Sequence, residues 1–264
     1  MNRKLQSLIV ASVACTLLSA CQQAQDIPLP NDICQLTLPA IGHIQGSQDT
    51  SPAVEQEVTV RAVVTAVLPG EGYFLHDPIG DSDPTSSEGL WVQDSETPFP
   101  GELWALRGTI EEQVIEGRRN LIRSDNSLTT LTKINGRQLC ADNQVLPVVE
   151  YPLPSQHREA TESMRVRLPA GLQVVAVPNR YQQYGLTLAS ERIFSPTEMV
   201  RPGAAAQALQ QRFDTASMNI ALPPNRYSYR VGDQLEAVAG IYDLRGDAQI
   251  ISAAAPQVKT AAGI

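Results

Sequence analysis

The chain has 264 residues, with 20 Lys and Arg against 28 Asp and Glu and a formal net charge of −8. That length suffices for one large domain or two of ordinary size. The acidic balance argues against a general grip on nucleic-acid phosphates, which wants a basic face.

At the amino terminus Arg3 and Lys4 precede the mostly apolar run Leu5–Leu18, which small residues and a cysteine close. A positive start and a short apolar run describe a secretory signal, since a membrane-spanning helix needs about twenty apolar residues. The ending Leu18-Ser19-Ala20-Cys21 resembles a bacterial lipobox, in which the thiol is lipidated before cleavage. Residues 1–20 are then a lipoprotein signal peptide, and Cys21 carries the anchor. Several acyl chains on one cysteine suffice for stable anchoring, at about 0.8 kcal/mol per buried CH₂. Gln22 follows, and resemblance to sorted lipoproteins implies the outer membrane of the cell envelope. An ordinary signal peptide with an incidental Cys21 is the competing reading. No later stretch approaches a membrane span, so the body is read as soluble.

Loss of Arg3 and Lys4 leaves 18 basic and 28 acidic residues, a net charge of −10. Residues 21–144 hold 7 Lys and Arg against 18 Asp and Glu; residues 145–264 hold 11 against 10. The first half is therefore a poor partner for phosphates, while the second is open. Once Cys15 leaves with the signal and Cys21 takes lipid, Cys34 and Cys140 remain. An even pair in an exported protein reads as a disulfide. Its long loop would contribute up to about 4–5 kcal/mol by the chain-entropy model. A free-thiol metal or redox site is the rival, without a histidine near either cysteine in sequence.

After the polar tether 21–33, short alternating runs dominate. Glu57–Ala66 is rich in β-branched residues, with Val58, Val60, Ala62 and Val64 on one face. Gly72–His76, Gly89–Val92, Leu103–Ile110 and Asn120–Ile122 follow, separated by Gly, Pro and Asp turns. Five short strands between such turns predict a small barrel or sandwich over 34–144. Val145–Pro154, with three prolines, is the linker. Over 155–258, strands are predicted at Met164–Leu168, Leu172–Val177, Gly185–Ala189, Gln234–Tyr242 and Ala248–Ile251. One helix, Ala204–Phe213, opens after Pro202-Gly203. Both halves carry a glycine–acid turn, an alternating strand and a second glycine: Gly101-Glu102 to Gly108, and Gly232-Asp233 to Gly240. This shared device favours two related barrels over one large sheet.

The succession Ile44-Gln45-Gly46, Thr50-Ser51-Pro52, Val58-Thr59-Val60, Tyr73-Phe74-Leu75, Asp81-Ser82-Asp83-Pro84 and Ser86-Ser87-Glu88-Gly89-Leu90-Trp91-Val92 resembles a known region. It is the amino-terminal region of bacterial extracellular nucleases of the endonuclease/exonuclease/phosphatase superfamily. Met164-Arg165-Val166, Tyr184-Gly185-Leu186, Phe194-Ser195-Pro196-Thr197-Glu198, Arg201-Pro202-Gly203 and Arg230-Val231-Gly232-Asp233 resemble its continuation. The resemblance implies an OB-like fold, and the expected class is all-β: two tandem OB-like barrels with one short helix in the second. In such nucleases a catalytic domain with a metal-binding glutamate and a base histidine follows. Here nothing acidic follows Asp247, and the last histidine is His157. An enzyme is therefore not expected.

Candidate chemistry is sparse. Asp77, Asp81 and Asp83, with Ser82 and Glu88, could hold Ca²⁺, which takes six to eight oxygens from a flexible loop; a solvated turn is the alternative, and no other cofactor is implied. His43, His76 and His157 stand far apart, without a Gly-x-Ser-x-Gly elbow or an HExxH pair. Arg180 beside Tyr181, Arg226 beside Tyr227, and Tyr229 beside Arg230 pair cations with aromatic rings. Single-stranded nucleic acid is gripped by stacking platforms in positive grooves, although tyrosine also simply favours strands. The leading expectation is a non-catalytic envelope binding module whose ligand is nucleic acid or a partner nuclease. A degenerate or split endonuclease component and a structural, protein-binding lipoprotein are the alternatives.

Overall fold

A computed structural model describes residues 28–115, 126–151, 153, 159–176, 185–223, 228–246 and 248–263. The signal segment, Cys21 and the predicted strand Asn120–Ile122 lie outside them. No helix among the described residues is long and apolar enough to cross a membrane.

The first half opens with the short helix α1 (Ile41–Gln45) and continues through β1 (Glu57–Leu68), β2 (Gly72–His76), β3 (Gly89–Val92), β4 (Leu103–Ile115) and β5 (Asn126–Ala141). These five strands form a closed barrel in the order β1-β2-β3-β5-β4. Closure depends on β1, whose start pairs with β4 and whose end pairs with β2. A register shift between Val64 and Ala66 bends the strand at that changeover, as bulges do in small barrels. Val60, Ala62 and Val64 face the interior with Tyr73, Leu75, Leu90, Val92, Leu106, Ile110 and Leu131. The face expected from the alternation of β1 is thus the core face. Cys34 and Cys140 are joined by a disulfide, which ties the segment after the tether to the end of β5.

The second half contains β6 (Val149–Glu150), β7 (Arg165–Leu168), β8 (Gln173–Ala176), β9 (Gly185–Ala189), the helices α2 (Pro196–Met199) and α3 (Ala204–Ala216), and then β10 (Ser217–Ala221), β11 (Gln234–Leu235), β12 (Val238–Asp243), β13 (Gln249–Ile251) and β14 (Val258–Thr260). Its strands pair as a nine-stranded sheet, β14-β11-β8-β9-β10-β13-β12-β7-β6. The expected second closed barrel is therefore not established by this strand order. The strand predicted over Gln234–Tyr242 is two pieces, because Glu236 turns its amide to Gln257 O, 2.8 Å away.

The glycine–acid turn seen twice in the sequence is built twice. The amide of Gly101 donates to Val64 O at 2.8 Å, and Val64 N donates to Glu102 O at 2.9 Å. The amide of Gly232 donates to Val174 O at 2.8 Å, and Val174 N donates to Asp233 O at 2.9 Å. Both glycines sit at positive φ, +95° and +97°, where a Cβ is strained. Each clasped valine marks a register shift toward the next strand, Val64/Ala66 in one half and Val174/Ala176 in the other. The second glycine of each device allows close approach of the neighbouring strand. A Cβ on Gly108 would lie 2.5 Å from Thr132 O, and one on Gly240 would lie 2.5 Å from Ile251 O.

Candidate functional site

Alternation on β2 and β3 sends Tyr73, Leu75, Leu90 and Val92 inward and leaves Phe74 and Trp91 on the outer wall. These two are cross-strand partners with ring centroids 4.6 Å apart. Two adjacent rings on an outer barrel face make a stacking platform. Neither ring is open to solvent: Phe74 is 0% and Trp91 4% exposed. Both belong, with Leu128, to the core cluster of the second half, beside Met164, Val166, Ile241 and Tyr242.

Arg245, just after β12, caps this platform. Its guanidinium carbon lies 4.3 Å from the Trp91 ring centroid and 5.3 Å from that of Phe74. The guanidinium donates to both carboxylate oxygens of buried Asp243, at 2.9 and 3.2 Å, and to Glu71 of the β1–β2 turn at 2.7 Å. A desolvated cation over an aromatic face contributes up to about 2 kcal/mol. The platform is thus already filled by a stacked, paired arginine of the same chain.

A polar seam continues the join. The buried Glu162 accepts from Thr129 N at 2.9 Å and from Gln45 Nε2 at 3.3 Å. Ser87 Oγ donates to Glu162 O, and the amide of Arg165 donates to His76 Nδ1 at 3.3 Å. Burial first, and then the neighbouring Glu159 charge, hold the Glu162 carboxyl well above its ordinary range. Glu159 is pushed up to about 7 by burial and by the charges of Asp49 and Glu112. Burial lowers His76 to about 4, and Arg165 acts in the same direction. His76 is therefore a neutral acceptor in the seam.

The Asp loop uses its carboxylates locally. Asp77 accepts from the amides of Ile41, Ile79 and Gly80; Asp81 accepts from Asp83 N and Ser86 Oγ; Asp83 accepts from Thr85. Among the described residues, no three His, Cys, Asp or Glu side chains converge as a group that could hold a metal ion. Of the cation–aromatic candidates, Arg180, Tyr181, Arg226 and Tyr227 lie outside the described residues. Tyr229 is half-buried and donates its hydroxyl to Pro256 O at 2.7 Å. Arg230 is exposed, and its amide donates to Asp233 at 2.7 Å within the repeated turn. The end of β8, the start of β9 and the end of β10 lie at one end of the sheet, because β9 pairs antiparallel with both β8 and β10.

Comparison with protein-family models and with curated proteins finds no match to this chain. Nothing in them supports the resemblance to extracellular nucleases. Among solved structures the chain is similar to fission yeast Pot1, crystallised with single-stranded DNA. That likeness has 14% identity and a TM-score of 0.29, over 84% of this chain and 85% of that one. At that score it carries no argument about fold or function.

The sequence did not disclose Phe74, Trp91, Arg245 and Glu162 as joining residues. The only available signal was a large apolar ring at one outward position in each of two strands, Phe74 and Trp91.

Proposed function

We propose that this protein is a non-catalytic binding module made of two OB-like barrels and held to the outer membrane through Cys21. The order β1-β2-β3-β5-β4, with β3 parallel to β5, is the Greek-key connectivity of an OB barrel. Support for a second copy comes from matched pairings. β8, β9 and β10 run antiparallel in turn, β10 is parallel to β13, and β13 is antiparallel to β12. If β7 and β8 count as one interrupted strand, and β11 and β12 as another, β12 returns to β7 and β11 to β8, as β4 returns to β1.

Arg245 seated on Phe74 and Trp91 is the observation that carries the functional reading. OB barrels bind oligonucleotides across strands 2 and 3, and in the first barrel that wall is occupied from within. The external ligand then falls to the second half, whose sequence bears Tyr229 and Arg230 together with Arg180, Tyr181, Arg226 and Tyr227. Single-stranded nucleic acid suits paired rings and arginines, with stacking contributing about 1–3 kcal/mol per base. The mature chain should therefore raise the fluorescence anisotropy of a short labelled single strand. Reversing Arg226 and Arg230 to glutamate should abolish that signal. Binding unaffected by the reversal would leave a protein partner as the ligand. Phe74, Trp91 and Leu128 of the first half are buried in the core of the second, so intact chain is the proper material.

The anchor has its own test. Cys21→Ser protein should move from membrane to soluble fractions, and persistence at the membrane after a salt wash would remove the lipoprotein reading. Absence of catalysis is tested by incubation with DNA and RNA in Mg²⁺ and Ca²⁺. Cleavage lost on mutating Asp81 and Asp83 would make the protein a nuclease.

A further inference from the structure

Beneath the loop joining β3 to β4 the first barrel has a cavity of about 160 Å³, lined by Tyr73, Glu96, Phe99, Glu102, Trp104 and Arg137 among others. A void of about 150 Å³ holds a benzene-sized group, so this one fits a single compact head group. Its walls are aromatic. Tyr73 comes from β2, Trp104 from β4, and Phe99, 73% exposed, from the loop itself. Large exposed apolar side chains of this kind mark contact sites when they adjoin a pocket.

Charge selects the guest. Arg137 is the one cation in the lining, and it is already paired with Asp94 at 3.2 Å and with Glu96 at 3.4 Å. One Glu102 oxygen, Oε2, accepts from Phe99 N and from Trp104 Nε1, both at 2.9 Å. This holds the indole and the loop in place and leaves Glu102 Oε1 without a partner among the described residues. Asp94, Glu96 and Glu102 together outweigh Arg137, and the half that bears them has 18 acidic against 7 basic residues. Burial and the Asp94 charge keep the Tyr73 phenol protonated, so that wall is a neutral ring. Aromatic faces attract cations within about 6 Å, whereas a phosphate or carboxylate would meet uncompensated negative charge.

We propose that this pocket receives a primary alkylammonium group, presented by a lysine side chain of a protein partner. The rings take the aliphatic stem, and the free oxygens of Glu96 and Glu102 accept the ammonium hydrogens. The site lies on the half that the nucleic-acid reading leaves unused, so either reading can fail without the other.

The test uses the full mature chain and its tryptophan emission at fixed ionic strength. The probes are butylammonium chloride, a capped Gly-Lys-Gly peptide and the same peptide with norleucine for lysine. Butylammonium and the lysine peptide should give saturable changes, and the norleucine peptide none. Phe99→Ala and Glu96→Gln, both at exposed positions, should each weaken binding about fivefold, the first by uncovering the aliphatic stem and the second by removing a charge-assisted acceptor. Nuclear magnetic resonance shifts of the probe give a second readout for Trp104→Phe, which should abolish the fluorescence response. No saturation with butylammonium, equal binding of norleucine, or indifference to Glu96→Gln would overturn the proposal. Binding of butylammonium without the lysine peptide would overturn the protein source.

Discussion

The two halves use the same clasp and differ in what it holds. In the first, Gly101-Glu102 closes a barrel whose amino-terminal approach is fastened by a disulfide and whose outer wall is covered by its neighbour. In the second, Gly232-Asp233 makes the same pair of hydrogen bonds in a sheet with no cysteine, a near-even charge balance and longer insertions between strands. Repeated backbone geometry therefore does not imply repeated surface chemistry. The first half carries the acidic balance, and the second bears the candidate arginine and tyrosine side chains.

Removing the staple should expose this asymmetry most strongly. Replacing Cys34 and Cys140 by serine frees a loop of 106 residues, a loss of about 4–5 kcal/mol by the chain-entropy model. The segment it fastens also accepts from Arg61 through the carbonyls of Cys34 and Leu36, at 2.6 and 3.0 Å. Thermal melts should show a large fall in Tm. Hydrogen exchange should show opening concentrated in 28–38 and β5, with the second half following only because it shares the core.

Trp91→Ala tests the join itself. A buried tryptophan cut to alanine costs about 3–5 kcal/mol, and here it also strips Arg245 of its ring. Both halves should lose stability in one transition, because the cluster around Trp91 belongs to both. Two separate transitions with only the first half affected would show that the halves fold independently.

Much of this was legible in the sequence, and the gaps have physical reasons. Gly72–His76, Gly89–Val92 and Gly185–Ala189 are strands at the predicted bounds, since β-rich runs between turn residues mark their own ends. β5 escaped notice because Leu128, Thr129, Thr130, Leu131 and Thr132 are all buried, which erases the alternation of a half-exposed strand. Lys133, at φ +49°, then breaks the phase at a bulge opposite Gly108. The Asp loop was legible as a crowded acidic turn, but its many local hydrogen bonds were not. Glu162 carried no signal at all. A lone glutamate ahead of Ser163-Met164 reads as surface, and only tertiary packing buries it.

The buried acids give a pH dependence that sharpens the picture of the join. Glu159 and Glu162 both have folded-state values raised above the ordinary 4.5, so their stabilising contribution is full below that pH and is lost as pH rises, for Glu159 through about 7. His76 acts in the opposite sense. Its folded value of about 4 lies below 6.5, so its contribution is present above 6.5 and lost as pH falls through 4. Stability should therefore peak in mildly acidic solution. Glu162→Gln keeps an acceptor for Thr129 N and removes the repulsion from Glu159 and Glu112. It should raise the stability of the protein above pH 7 relative to the parent and flatten its fall with pH. A variant as pH-sensitive as the parent over this range would remove Glu162 from the account.

The smallest effects test the repetition directly. Gly101→Ala and Gly232→Ala each place a Cβ at a positive φ that costs an L-residue about 1–2 kcal/mol. The nearest neighbour is equally distant: the added carbon would lie 3.3 Å from the backbone oxygen of Gln144 in one turn and 3.3 Å from the Ala262 side chain in the other. If the two turns are the same device, the two substitutions should cost the same within a few tenths of a kcal/mol in chemical denaturation. Serine at either site should be no better, since the strain lies in the backbone. Combined, they should add, because each closes its own strand pair and well-separated sites are energetically independent. A tolerated alanine at Gly232 beside a costly one at Gly101 would mean that the second turn can relax. The likeness of the halves would then be one of shape without shared constraint, and the reading of the second sheet as an interrupted barrel would rest on its strand pairings alone.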